Sequence, residues 1–280
     1  MSASVEVGNL RRICRRAARP YQIRAGCLYG SRAGGYARPE SDYDALLILN
    51  EYKQGLKFEY SSSGASRVAL LMVDQALFEQ DVNEGSVGEF LSTRLLGPFV
   101  PIFDEQYLKD QELKVKARVV EEELRDIATQ YGTMARELLV APEFFALARL
   151  RKMAGLYPAL MYGYIQMLEG NLKDRNLPMI TAGYATVLND AEERGLVRLV
   201  NGRVRLDPGF VDRTMSRRSV DRVVGVLGMS RRIFYSYMSH GRGKDAELDD
   251  LVREVGSVLG RGFEPLVEER RARIFMNLYP

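Results

Sequence analysis

LYGSRAGGYARPESDYDALLIL, residues 28–49, sets a Gly-Ser pair, Gly30 and Ser31, behind a short apolar run and two carboxylates, Asp42 and Asp44, at the mouth of another. Side chains alternate along a strand, so Asp42 and Asp44 share one side of the run Ala45 to Leu49 while Tyr43 takes the other. Two carboxylates about 7 Å apart on one face repel unless positive charge lies between them, and a divalent cation is the simplest occupant. Mg²⁺ takes one or two carboxylates and completes its shell with phosphate oxygens and water, which suits a metal-bound triphosphate. A glycine at a strand end lets the backbone approach a phosphate, and the Ser31 hydroxyl offers a further hydrogen bond to it. Together the two features describe a nucleoside triphosphate site.

Working outward, CLYGS, ALLIL, LKFEY and RVALLMV are short apolar or alternating runs separated by Gly, Ser or Asn, and they predict strands of a small mixed sheet. Residues 8–19 predict a helix with Leu10, Ile13, Cys14 and Ala17 on one face, five arginines around it and Pro20 as its stop. Residues 75–97 predict another helix, and FVPIF, interrupted by Pro101, an edge strand. From Glu105 to about Gly170 the apolar spacing is helical throughout. The aromatic run LYPALMYGYIQML, 156–168, reads as a packing face of that section and not as a base-stacking platform.

In LVRLVNGRVRL, Asn201-Gly202 lies between alternating runs, the strongest short-range hairpin signal. A helix from Thr181 to Arg194 feeding such a ribbon resembles a winged helix, with Thr181, Tyr184 and Thr186 near the leading end of a recognition helix and Arg198, Arg203 and Arg205 near the turn as nucleic-acid contacts. A basic block follows, with eight basic residues against one acid from Arg213 to Lys244. Winged helices also dock proteins, so this segment leaves nucleic acid and protein open as partners.

GSRAGGYARPESDYDALLIL resembles the signature of the minimal nucleotidyltransferases of the DNA polymerase β superfamily, a Gly-Ser turn followed about a dozen residues later by Ser-Asp-x-Asp and an apolar strand. Gly30, Ser31, Ala33, Gly35, Ser41, Asp42 and Asp44 stand where that pattern has them. The resemblance covers about the first hundred residues. It implies that Gly30 and Ser31 hold the triphosphate of an NTP and that Asp42 and Asp44 bind Mg²⁺. The sequence departs from the pattern twice. Position 34 is Gly where many members carry Arg, and the third carboxylate, which in the family sits inside a later strand, has no clear counterpart. Asp74, at the end of RVALLMVD, is the candidate entered for that catalytic role, and Glu59 is the other; Asp74 equally suits the cap of the helix that starts at Gln75.

The expected fold class is α+β: a nucleotidyltransferase domain at 1–106, a helical connector at 107–170, a winged-helix-like domain at 171–215 and a helical segment at 216–280. At 280 residues, 46% hydrophobic and 28% charged, the composition is that of a globular protein, without an apolar run long enough for a membrane span. The first twenty residues lack the apolar core of a secretory signal, so the expected location is cytoplasmic. Two cysteines, Cys14 and Cys27, and one histidine, His240, exclude a Cys/His zinc centre. The cysteines read as small buried hydrophobes and His240 as a surface or capping residue. Two functions follow from different classes: Mg²⁺-dependent transfer of an NMP group from an NTP to a hydroxyl acceptor, or a catalytically weak nucleotidyltransferase-like protein acting as a DNA-binding regulator or antitoxin-like partner.

Overall fold

The first helix, α1 (Ala3–Ala18), lies on the sheet through Leu10, Ile13, Cys14 and Ala18. Its arginines are used structurally: Arg11 Nε donates to the Ile102 carbonyl, Arg15 lies over the Phe103 ring and Arg16 reaches the Ser62 carbonyl. A computed structural model of the chain describes residues 3–216 apart from 64, 65 and 157. His240 and most of the basic block lie outside the described residues, as does the helical segment expected from 216 except for its first residue.

Five strands form a mixed sheet: β1 (Ile23–Tyr29), β2 (Tyr43–Leu49), β3 (Leu56–Ser63), β4 (Ser66–Asp74) and β5 (Val100–Phe103), in the order β3-β4-β2-β1-β5. Only β2 and β4 pair in parallel; the other neighbours are antiparallel. Pro101, which has no N–H to donate, sits in β5 at the sheet edge, where that loss is tolerated. Strict alternation gives the sheet two apolar faces. Ala45, Leu47 and Leu49 of β2 with Val68, Leu70 and Met72 of β4 face α1. Leu46 and Ile48 with Leu71 and Val73 face the main core, built on α4 (Glu105–Tyr131) through Val115, Val119 and Leu124.

Between β1 and β2 lies the short helix α2 (Gly30–Gly34). The helix expected at 75–97 is only partly present. It is α3 (Gln75–Glu84), ended by Gly85 in the left-handed region, followed by a loop and a 3-10 turn at Ser92–Leu95. The break has a physical cause: the buried Asp81 carboxylate accepts the N–H groups of Val87, Glu89, Leu91 and Ser92 at 2.8–3.2 Å, replacing the helical bonds that those groups would otherwise need.

The helical section continues with α5 (Glu143–Leu156), α6 (Pro158–Met167) and α7 (Gly170–Thr181), then α8 (Tyr184–Glu193). The hairpin β6 (Val197–Val200) and β7 (Arg203–Leu206) turns at Asn201 and Gly202, both at positive φ, as the Asn-Gly pair requires. Val140 bridges Val204, and α9 (Pro208–Ser216) packs back on α4. The helix expected from Thr181 instead begins at Tyr184: Thr181 ends α7, and Gly183 takes a left-handed conformation between the two.

Candidate active site

The register of β1 against β2 sets Tyr29 opposite Asp44, so Gly30, the next residue, arrives beside the Asp44 carboxylate. Gly30 is at φ +72°, and a Cβ on it would come within 2.5 Å of Asp44 Oδ2. The carboxylate occupies the space that a side chain would fill, so this glycine serves both the backbone turn and the acid. Gly34 is similarly confined: a Cβ there would meet the Tyr36 ring at 2.6 Å, so the place where the signature often has Arg is covered by an aromatic ring.

The α2 turn is held from two sides. Arg32 lies over the Tyr43 ring and donates to the Ser41 and Pro39 carbonyls, fixing the loop that delivers Asp42; Ser41 Oγ accepts the Arg38 N–H at 2.9 Å. From the helical section, the fully buried Asn176 donates to the Gly34 and Met167 carbonyls, both at 2.8 Å, and Arg175 donates to the Ala33 carbonyl. The Gly-Ser turn is thus clamped to α6 and α7, some 140 residues away in sequence.

Gly30, Ser31, Asp42 and Asp44 meet at one end of the sheet. Asp42 Oδ1 lies 3.3 Å from Arg67 Nε, whose guanidinium stacks on the Tyr60 ring. The Asp44 carboxyl is pushed up from 3.8 to about 6, chiefly by burial; Arg94 opposes that rise and Asp42 adds to it. Arg67 beside Asp42 and Arg94 near Asp44 offset part of the pair's charge, so burial is what holds the Asp44 carboxyl up. Asp42 and Asp44 are hard oxygen donors and fit a Mg²⁺ whose remaining shell comes from phosphate and water. Among the described residues no group of three or more Asp, Glu, His or Cys side chains could hold a metal ion.

Asp74 does not join them. It lies at the opposite end of β4, about 16 Å along the strand from Ala69, the residue in register with Asp44. Its carboxylate caps α3 through the Ala76 N–H and accepts the Tyr52 N–H at 2.8 Å. The capping role expected of it is the one its position permits. Glu59 pairs in register with Leu70, which faces α1, so it points away from the Asp44 face and bridges to Lys57. The residue beside Asp44 on β4 is Ala69. Neither Asp74 nor Glu59 therefore stands beside Asp44.

Residues that the sequence reading did not assign to the site complete the surroundings. A cavity of about 100 Å³, partly open to solvent, is bounded by Tyr29 and Gly30, Tyr36, the segment Thr93 to Pro98 including Arg94, and Tyr164 with Met167 of the helical section. Tyr164, read from sequence as packing, borders this pocket; burial pushes its hydroxyl up to about 12. Arg94 lies 4.8 Å from the centres of both the Tyr29 and Phe90 rings.

The ribbon arginines stand elsewhere. Arg198 is paired with Asp207 at 3.1 Å, while Arg203 is exposed beside the turn and Arg205 half-buried. In the helix that precedes them, Tyr184 is buried and the exposed residues include Asp190, Glu192 and Glu193. Arg203 and Arg205 form no salt bridge among the described residues. Cys14 and Cys27 are buried and free, with thiols pushed up to about 12 by burial. No helix among the described residues is long and apolar enough to cross a membrane.

No known protein-family profile matches the sequence, and no curated protein matches it. Among solved structures, the chain is similar to the crystal structure of a nucleotidyltransferase-like protein from Exiguobacterium sibiricum 255-15. The two are 13% identical with a TM-score of 0.30, over 65% of this chain and 75% of that one.

Proposed function

We propose that the chain binds a magnesium nucleoside triphosphate at Gly30, Ser31, Asp42 and Asp44 and transfers its NMP group to a hydroxyl acceptor, releasing pyrophosphate. The observation that carries this reading is the fit of the Asp44 carboxylate into the space where a Gly30 side chain would stand, which makes the Gly-Ser turn and the acidic pair one site. Asp42 and Asp44 would hold the metal, and Ser31 and the turn backbone would hold phosphate oxygens. Bound there, the cation would neutralise charge on the triphosphate and on its leaving group. The residues themselves orient the phosphates and, through the clamp of Asn176 and Arg175, keep the turn rigid.

Ala69 shapes the rate. With no carboxylate on β4 beside Asp44, the proton of the acceptor hydroxyl passes to water or to a group of the acceptor, and turnover is slow. The same observation favours a second reading, a nucleotide-binding regulator with weak catalysis. Incubating the protein with each labelled NTP, Mg²⁺ and candidate acceptors, itself included, separates the two. Transferred label that vanishes in Asp42→Asn and Asp44→Asn supports the enzyme. Mg²⁺-dependent NTP binding without transfer supports the regulator, and the absence of both refutes the site.

A further inference from the structure

Arg94 forms no salt bridge among the described residues; its charge acts on the buried Asp44 carboxylate, beside the place where the proposed reaction would receive its acceptor. Its guanidinium is held between the Tyr29 and Phe90 rings, and its buried Nε donates to no partner among the described residues. The segment that carries it is fixed by the four backbone bonds to Asp81, and Thr93 beside it is tied to the Glu89 carbonyl at 2.7 Å. Such a guanidinium is pre-organised, since little side-chain freedom is left to lose on binding. It borders the pocket that shares Gly30 with the carboxylate site but is otherwise walled by Tyr36, Tyr164 and Met167. Ser31 and Asp42 do not line this pocket. A metal held by the two aspartates would take over the neutralisation of Asp44 as well as of the triphosphate, which would leave the charge on Arg94 for a second anion.

Building on the nucleotidyl-transfer reading, we infer that this pocket binds the acceptor, and that the acceptor is a small hydroxyl-bearing molecule with a phosphate or carboxylate group that pairs with Arg94. The cavity, about 100 Å³ and partly open to solvent, has room for a compact ligand that projects outward, and the aromatic walls suit the apolar part of such a ligand. The shared wall at Gly30 brings the acceptor hydroxyl toward the α-phosphorus. Its oxygen forms the new P–O bond, the bond from that phosphorus to the bridging oxygen breaks, pyrophosphate leaves with the electron pair, and the hydroxyl proton goes to water. Arg94 is a binding residue in this scheme and takes no proton.

The test uses the full chain with Mg²⁺ and α,β-methylene-ATP, which occupies the nucleotide site without reacting. Binding of glycerol 3-phosphate, glycerate and glycerol is then measured by titration calorimetry. One or both acids should bind and glycerol should not, and the tighter acid identifies the anionic group. Arg94→Gln should weaken the acids by on the order of tenfold or more, the loss expected for a charge-assisted pair, while nucleotide affinity changes less than about threefold. Arg94→Lys, which keeps the charge but not the planar fork, should fall between, and it carries the test if Arg94→Gln does not fold. A parallel loss of nucleotide binding would assign Arg94 to the triphosphate and overturn the inference with the nucleotide site intact. So would acids that fail to bind the wild type or that bind both variants as well as the wild type. If the wild type binds the acids through Arg94 but not the nucleotide, the nucleotidyl-transfer reading fails, and the acceptor assignment goes with it.

Discussion

Replacing Asp44 by Asn removes one charge from the acidic pair and keeps the side chain's shape. In the folded protein this carboxyl sits at about 6 in place of 3.8, because burial disfavours its charged form by more than the pull of Arg94 offsets, and Asp42 adds a smaller repulsion. A carboxyl whose folded pKa is raised binds protons more tightly when folded. Its contribution to stability is therefore fully present below the unfolded value and is lost as pH rises through the folded one. At about 1.36 kcal/mol for each tenfold change in proton affinity the rise corresponds to roughly 3 kcal/mol, and screening of the part-exposed side chain brings this to about 2 kcal/mol. Asp44→Asn is free of that cost. In metal-free buffer its stability relative to wild type should grow by about 2 kcal/mol between pH 4 and pH 8, raising the relative melting temperature by about 4–8 °C. Urea denaturation followed by circular dichroism at half-unit pH steps reads this directly. A constant offset from the amide itself does not matter, because the slope is the observable. A difference that stays flat across the range, or that falls as pH rises, would refute the burial account of Asp44.

Ala69→Asp should place a third carboxylate opposite Asp44, raising NMP transfer on the order of tenfold or more with Mg²⁺ while lowering metal-free stability above pH 6; unchanged transfer would mean that the missing base does not limit the rate. Asp81→Asn leaves one oxygen to accept where a carboxylate met four N–H donors, and two orphaned donors at about 1–3 kcal/mol each should cost about 4 kcal/mol in denaturant unfolding. A loss below 1 kcal/mol would show that water replaces those bonds. Ser31→Ala should weaken Mg²⁺-NTP binding by about 1.5–3 kcal/mol and leave nucleoside binding nearly unchanged in calorimetry, since only the phosphates face the hydroxyl; equal losses would place Ser31 against the base.

The strands were legible because each is a short run bounded by breakers, and their two-residue period already put Asp42 and Asp44 on one side. The Asn-Gly hairpin carried its own local chemistry. Residues 75–97 misled because helical spacing continues through Leu91, Leu95 and Leu96, while the interruption comes from one buried acid, Asp81, that in sequence looks like a surface position on a helix. Arg94 and Tyr36 left no local signal, and Tyr164 stood in an aromatic run that read as packing. They border one pocket because Asn176 and Arg175 tie the Gly-Ser turn to helices about 140 residues further on, and no short-range pattern records such a bond. The arginines of α1 read only as the polar side of a helix, yet several of them brace sheet edges, a use that depends on which strands the topology brings beneath the helix.

What the geometry adds to the signature is a reason why its two halves stand together. A Gly-Ser turn and an Asp-x-Asp strand start occur separately in many proteins, and each alone has an ordinary structural explanation. Here the antiparallel register of β1 and β2 makes them interdependent: a side chain at position 30 would collide with Asp44, and without Asp44 the glycine's open side would have nothing to receive. The same register logic on the other flank of β2 identifies Ala69, not Asp74 or Glu59, as the position that decides between turnover and binding. Two strand pairings thus locate both the strength of the site and its deficit within one residue of each other on the sheet. That is why a single substitution at 69 discriminates between an enzyme that lacks a base and a site that never had a reaction to run.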